Sequence, residues 1–230
     1  MTAQNRKEQI IACARDLFLS RGYENTTISQ IIDAAGIAKG TFYHHFTAKT
    51  DLIEVLVLSF MEEMIHDFDQ WHGRTDISAT ERLQAYFDIN STWKQKRVEL
   101  VVLSVSALYR EENSLLLRRI IETSVDTLAP YFDAAVLEGV RSGEFFLPDP
   151  RGFGRFLLVL MAGTSHSQGK IILESIQNPE KLTEYADQVR HLEYTVNLLL
   201  GLPPGRIDLG VQPIIESIQR YLASQKEGRS

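Results

Sequence analysis

The sequence predicts an all-α protein in two parts: an N-terminal three-helix unit over residues 1–50 and a larger helical part over 51–230. Three observations carry this expectation. Apolar residues recur at the three- and four-residue spacing of a helix along nearly the whole chain, and sustained two-residue alternation is scarce. Glycine, proline and short polar clusters interrupt that pattern at Gly73, 111–113, 143–150 and Asn178–Pro179. A length of 230 residues holds a small unit plus a second one with a core of its own.

The first helix is expected over 6–21, with Ile10, Ala14, Leu17 and Phe18 on one face and Gly22 just past its end. Cys13 borders this face and reads as a small core side chain; as the one cysteine it cannot form an intrachain disulfide. Thr27 and Gln30 have the spacing of a capping box, in which each side chain satisfies an amide of the other at a helix start. Ile28, Ile31, Ile32 and Ala35 then form one apolar face, and Gly36 can adopt the left-handed conformation that ends the helix, with Ile37 as a buried anchor. The next helix starts near Lys39, behind Ala38, a poor cap. Phe42 and Phe46, four apart, face inward, leaving Lys39, Thr41, Tyr43, His44 and His45 on the outer side. Two short helices joined at a glycine make a helix-turn-helix, and the outer groups are donors suited to phosphate and base edges. A long helix over 48–69, with Leu52, Val55, Leu56, Ser59, Phe60 and Met64 on its packed side, joins this unit to the rest.

Further helices are expected over 79–96, 98–110, 114–142, 151–174, 180–200 and 211–224. Pro130 should kink the third of these, because its ring clashes with a straight helix ladder. The polar tail 224–230 is expected to fray. Two apolar stripes stand out near the C-terminus. One carries Phe153, Phe156, Leu157, Leu160, Met161 and Thr164 beside the small Ala162 and Gly163; the other carries Leu182, Tyr185, Ala186, Val189, Leu192, Val196 and Leu199. Periodicity alone leaves open whether they fill a core or form an interface.

The net charge of −6 excludes a protein that coats nucleic acid with its whole surface. Charge segregates, however. Residues 1–50 carry six basic against four acidic side chains and the remainder 18 against 26, so the head is mildly basic and the body acidic. No segment approaches the ~18 apolar residues of a membrane helix, and no signal-peptide pattern opens the chain, so a cytoplasmic protein without membrane partners is expected. No metal is expected: adjacent His44 and His45 diverge by about 100° on a helix, and His66 and His72 straddle a helix end. No cofactor or catalysis is expected either, since Gly152-Phe153-Gly154 lacks the third glycine and the preceding strand of a nucleotide fingerprint.

Thr26, Thr27 and Ile28, then Ala35, Gly36, Ile37, Lys39, Gly40, Thr41, Tyr43 and Phe46, then Lys49 and Leu52, in this order and spacing, resemble the DNA-binding head of the TetR family of bacterial transcriptional repressors. Ala38 departs from the pattern, where family members often carry Ser. The resemblance implies that Thr27, Lys39, Gly40, Thr41, Tyr43, His44 and Lys49 touch double-stranded operator DNA. Their chemistry agrees: Lys39 and Lys49 at helix starts suit phosphates, Thr27 and Tyr43 offer hydroxyls to the backbone, Thr41 and His44 suit base edges, and Gly40 permits close approach. Tyr43 and His45 also fit packing between helices. The stretch 139–145 is similar to a helix end and turn common in the family's regulatory domain.

The resemblance further implies a helical effector-binding and dimerisation domain. Side chains with an apolar wall and a polar tip mark a pocket for a small-molecule effector of unknown identity, largely apolar: Tyr86, Phe87, Trp93, Tyr109, Tyr131, Met161, His166 and Gln168, each of which also fits a core position. Phe153, Phe156, Leu157, Leu160 and Thr164, with Leu182, Tyr185, Val189, Leu192 and Val196, are implied to form a four-helix homodimer interface with their symmetry mates. The function implied is a dimeric, sequence-specific regulator, a repressor released from its operator by the effector. The alternative is a DNA-binding dimer controlled by a partner protein or by no effector.

Overall fold

The computed structural model describes residues 3–227, and no strand occurs among them. Ten α-helices follow in chain order: α1 (Ala3–Arg21), α2 (Ile28–Ala35), α3 (Lys39–His45), α4 (Lys49–His72), α5 (Ala79–Lys96), α6 (Val98–Leu108), α7 (Ser114–Ser142), α8 (Phe153–Ser175), α9 (Leu182–Leu199) and α10 (Val211–Glu227). Short 3-10 turns at Glu111–Asn113 and Pro179–Lys181 occupy two of the expected breaks. α7 continues through Pro130 as one helix, so the proline does not divide it. Of the polar tail, 224–227 complete α10 and 228–230 lie outside the described residues.

Packing groups the helices into two compact units, neither continuous in sequence. The first comprises Met1–Glu62 and Glu99–Ile120, the second Glu63–Val98 and Ile121–Ser230. α6 thus groups with the N-terminal helices in the first unit. This helix is apolar on several sides and buries Leu100, Val102, Leu103, Val105, Ala107 and Leu108.

In the first unit Ile10, Ala14 and Phe18 of α1 are buried, as are Ile31 and Ala35 of α2, Phe42, Phe46, and Leu52, Ile53 and Leu56 of α4. Leu17 and Cys13 are half-buried at the edge of that face. The second unit is built on Phe68, Leu83, Tyr86, Phe132, Val136, Phe145, Leu157, Val196 and Leu200. The Phe68 and Tyr86 rings stack at 4.7 Å, and Phe87 meets Phe132 edge-on at 5.5 Å, the aromatic geometries that quadrupoles favour. At Gly154 an added Cβ would lie 2.2 Å from the backbone of Phe132 and Asp133, so the start of α8 rests directly on α7. That contact explains the glycine that sequence patterns left without a role.

Two buried polar knots fix how α5 begins and α4 ends. Arg82 is only 4% exposed. Its guanidinium donates to the carbonyls of Trp71, His72 (2.8 Å) and Arg74 (2.6 Å), closing the C-terminal end of α4, while Nε donates to Glu138 at 2.9 Å. The Glu144 carboxylate accepts from the Ala79 amide (3.0 Å), the Thr80 amide (2.9 Å) and the Thr80 and Ser142 hydroxyls (2.7 and 2.8 Å). Burial opposes its ionisation, but these hydrogen bonds outweigh burial and bring its pKa down to about 2. Neither knot is visible in the sequence, because the links that close them, Arg82 to Glu138 and Glu144 to Ala79 and Thr80, span 56 to 65 residues.

Candidate nucleic-acid interface and inner cavity

The helix-turn-helix is built as its residues require. The Thr27 hydroxyl accepts from the Gln30 amide at 3.2 Å and the Gln30 side chain accepts from the Thr27 amide at 2.9 Å, completing the capping box. Gly36 sits at φ 59° and ψ 40°, and the Gly36 and Ile37 amides donate to Asp33 (3.1 Å) and Ile32 (3.2 Å), which closes α2. Ile37 itself is half-buried, a shallower anchor than expected. Ala38 gives α3 no side-chain cap. Phe42 and Phe46 are buried, their rings 5.9 Å apart, and this fixes the rotation of α3. Lys39, Gly40, Tyr43 and His44 are thereby exposed, with Thr41 and His45 half-buried beside them. Lys39 Nζ stands 5.9 Å from the Tyr43 ring centroid, within cation–π range.

Lys49 behaves differently from a phosphate holder that reaches outward. Its ammonium donates to the carbonyls of Tyr23 (2.8 Å) and Thr26 (3.0 Å) and lies 4.0 Å from the Tyr23 ring centroid. Burial lowers its pKa, with Glu24 acting against that and Arg110 with it. Lys49 therefore ties the start of α4 to the loop that leads into α2. The loop receives a second tie from Arg110, whose Nε is 3.2 Å from Glu24. Asp51 secures the same corner: burial opposes its charge, but the Thr47 hydroxyl and the Thr47 and Ala48 amides all donate to it and hold its pKa below the usual carboxylate value.

The second unit holds a partly open cavity of about 270 Å³. Phe68 of α4, Tyr86 and Phe87 of α5, Phe132 of α7, Met161 of α8, Val189 of α9 and Ile214 of α10 contribute to its wall. Of the eight residues expected there, Tyr86, Phe87, Met161 and Gln168 line it. Trp93 instead faces a separate cleft with Asp67 and Trp71, His166 is exposed on α8, and the Tyr131 hydroxyl donates to Asp69 at 2.5 Å. Each of these three is next in sequence to a lining residue: Lys94, Ser165 and Phe132 respectively. One residue along a helix turns the side chain by about 100°, enough to miss the cavity. Tyr109 belongs to the first unit. Asn90, Lys94, Ser124, Ser165 and Tyr185 also line the cavity and were not foreseen. The available signal was the spacing Tyr86, Asn90, Lys94, one turn apart on α5.

The expected interface stripes also divide. Leu157, Leu182, Tyr185, Val189, Leu192 and Val196 are buried within this chain's own core and are not an outward face. Phe153, Leu160 and Thr164 are half-buried, and the Thr164 hydroxyl donates to the Met161 carbonyl at 2.8 Å. Only Phe156 of the expected set is well exposed, at 50%, and three unforeseen residues join it: Val159 at 51%, Tyr194 at 54% and Leu198 at 62%. α8 and α9 carry apolar side chains on two faces, and the broader stripe turned inward.

Residues 10–56 match the sequence model of a family described as bacterial regulatory proteins, tetR family. Over 85 residues the chain is 33% identical to the HTH-type transcriptional repressor KstR2 of Mycobacterium tuberculosis, a stretch covering 36% of this chain and 41% of that protein. Over 64 residues it is 38% identical to the HTH-type transcriptional regulator TtgR of Pseudomonas putida, covering 28% of this chain and 30% of the relative. The chain thus spans about two fifths or less of the length of these curated relatives. Among solved structures it is similar to Salmonella enterica GusR, with a TM-score of 0.56 at 20% identity over 86% of this chain and 96% of that one. It is also similar to the transcriptional regulator FadR of Bacillus subtilis in complex with stearoyl-CoA, with a TM-score of 0.53 at 23% identity over 87% of this chain and 99% of that one. At such identities the likeness is one of fold.

Proposed function

We propose that the chain, whose residues 10–56 match the model of the tetR family of bacterial regulatory proteins, is a dimeric, sequence-specific DNA-binding transcriptional regulator, a repressor that leaves its operator when a small molecule fills the cavity of the second unit. One observation carries this reading: buried Phe42 and Phe46 turn Lys39, Gly40, Tyr43 and His44 outward together on α3, with Thr41 beside them. Lys39 supplies the charge for a phosphate, and the Tyr43 hydroxyl and the Thr27 hydroxyl, beyond its cap bond, supply further donors to the backbone. Thr41 and His44 address base edges, and Gly40 admits the groove wall. Lys49 serves as a positioning residue for the head.

Two heads need a dimer. The exposed Phe156 and Val159 on α8 and Tyr194 and Leu198 on α9 form the apolar face that a second copy would cover. The cavity supports control by a ligand over control by a partner protein, and a coupling of ~1–3 kcal/mol between cavity and head is enough for a switch.

The test is selection of duplexes from a random-sequence library by the purified protein. A single enriched inverted repeat is expected, its half-site centres one helical turn of ~34–36 Å, or a multiple of it, apart. A library that emerges without enrichment overturns the reading.

A further inference from the structure

Among the described residues that line the cavity of the second unit, Lys94 is the one that is charged. Around it the wall is aromatic and aliphatic: Phe68, Tyr86, Phe87, Phe132, Leu158 and Leu192 all contribute. Among the described residues no aspartate, glutamate or histidine lines the same space, and no ion pair or hydrogen bond joins the Lys94 ammonium to a carboxylate. Burial alone pushes its pKa below the ordinary lysine value. Lys94 keeps part of its accessible area, so the side chain is lodged in the cavity wall without being sealed off. An ammonium held in an apolar wall is costly unless something pairs with it. Asn90 lines the cavity one helical turn before Lys94 on α5 and offers an amide at the same end. Other polar groups nearby are committed elsewhere: the Ser165 hydroxyl donates to the Ala162 carbonyl at 2.7 Å, and the Gln168 amide donates to Thr164 at 3.0 Å.

We propose that the cavity takes an amphipathic monocarboxylate, its carboxylate on the Lys94 ammonium with Asn90 beside it and its apolar body among the aromatic walls. A single cation matches a single negative charge, whereas a phosphate dianion would bring a second charge with no partner. The volume of about 270 Å³ lies just below the ~300–1,000 Å³ usual for drug-sized ligands. A short alkyl chain or one aromatic ring fits that space. This inference rests on the reading of the second unit as the ligand-binding part.

Calorimetric titration of the full chain with hexanoate, octanoate and 4-phenylbutanoate, each against its neutral primary amide, tests it. At least one carboxylate should bind the wild type roughly tenfold or more tightly than its amide. Lys94→Met, which keeps the apolar stem, and Lys94→Gln should both remove that preference while amide affinity holds within about threefold. A wild type that favours no carboxylate of the set, or variants that keep the preference, overturn the assignment. Fluorescence anisotropy on the selected duplex separates this from the functional reading. A carboxylate that binds through Lys94 yet releases no DNA contradicts ligand control and leaves the site standing. Release that is identical in wild type and Lys94→Met does the reverse.

Discussion

A methyl group on Gly40 would meet nothing within 4 Å, so Gly40→Ala asks a question of DNA alone. Alanine favours a helix over glycine by up to ~1 kcal/mol, so the variant should melt at or above the wild-type temperature. Its affinity for the selected duplex should nonetheless fall about tenfold or more, as the added methyl stands between α3 and the groove wall. Circular dichroism and anisotropy read the two halves. The two lysines should also separate. Lys39→Ala should weaken binding across sequences and flatten the salt slope by roughly one phosphate contact, with the melting temperature unchanged. Lys49→Ala should lower the melting temperature, because two carbonyls of the entry loop lose their donor.

Glu144 gives the molecule an acid-sensitive joint. Its folded pKa of about 2 lies below the ordinary 4.5, so the unfolded chain takes up a proton first as pH falls. The stabilisation is therefore whole above about pH 4.5 and fades toward pH 2. The carboxylate is partly exposed, so after solvent screening its share is about 1 kcal/mol. Urea denaturation at pH 7 and pH 3 should show Glu144→Gln less stable than wild type at the higher pH and closer to it at the lower.

At the scale of elements, α7 and α8 meet backbone to side-chain-free backbone at Gly154. Gly154→Ala should destabilise by roughly 1–3 kcal/mol despite its better helix propensity, since the obstructing atoms belong to main chain and cannot swing aside. Equilibrium unfolding measures it, and an unchanged midpoint would mean the helices do not approach as closely as the structure has them. The head was largely legible in the sequence, because its signals are local: Thr27 and Gln30 lie three residues apart, Gly36 ends α2 by its own conformation, and Phe42 and Phe46 set the face of α3. The second unit was less legible because its signals are not. α8 and α9 are apolar on two faces, and only the presence of α5, α7 and α10 decides that Leu157, Val189 and Val196 go inward while Phe156, Tyr194 and Leu198 stay out. The cavity residues missed by one position, Trp93 for Lys94 and Tyr131 for Phe132, show the same limit. Composition favours the aromatic neighbour, but rotation about the helix axis chooses.

For the whole molecule, the proposed function requires that two heads act together. The apolar face on α8 and α9 is the surface whose cover by a second copy would join them, so Phe156→Glu with Tyr194→Glu should give folded monomers by light scattering, with affinity for the inverted repeat reduced by the loss of one half-site. The most direct test is the mass of the saturated protein–DNA complex by sedimentation on the selected duplex. Two chains per duplex, or a multiple of two, are predicted for the wild type, with one per half-site for the double variant only at much higher concentration. A wild-type complex that saturates with a single chain on the full duplex would contradict the paired-head mechanism.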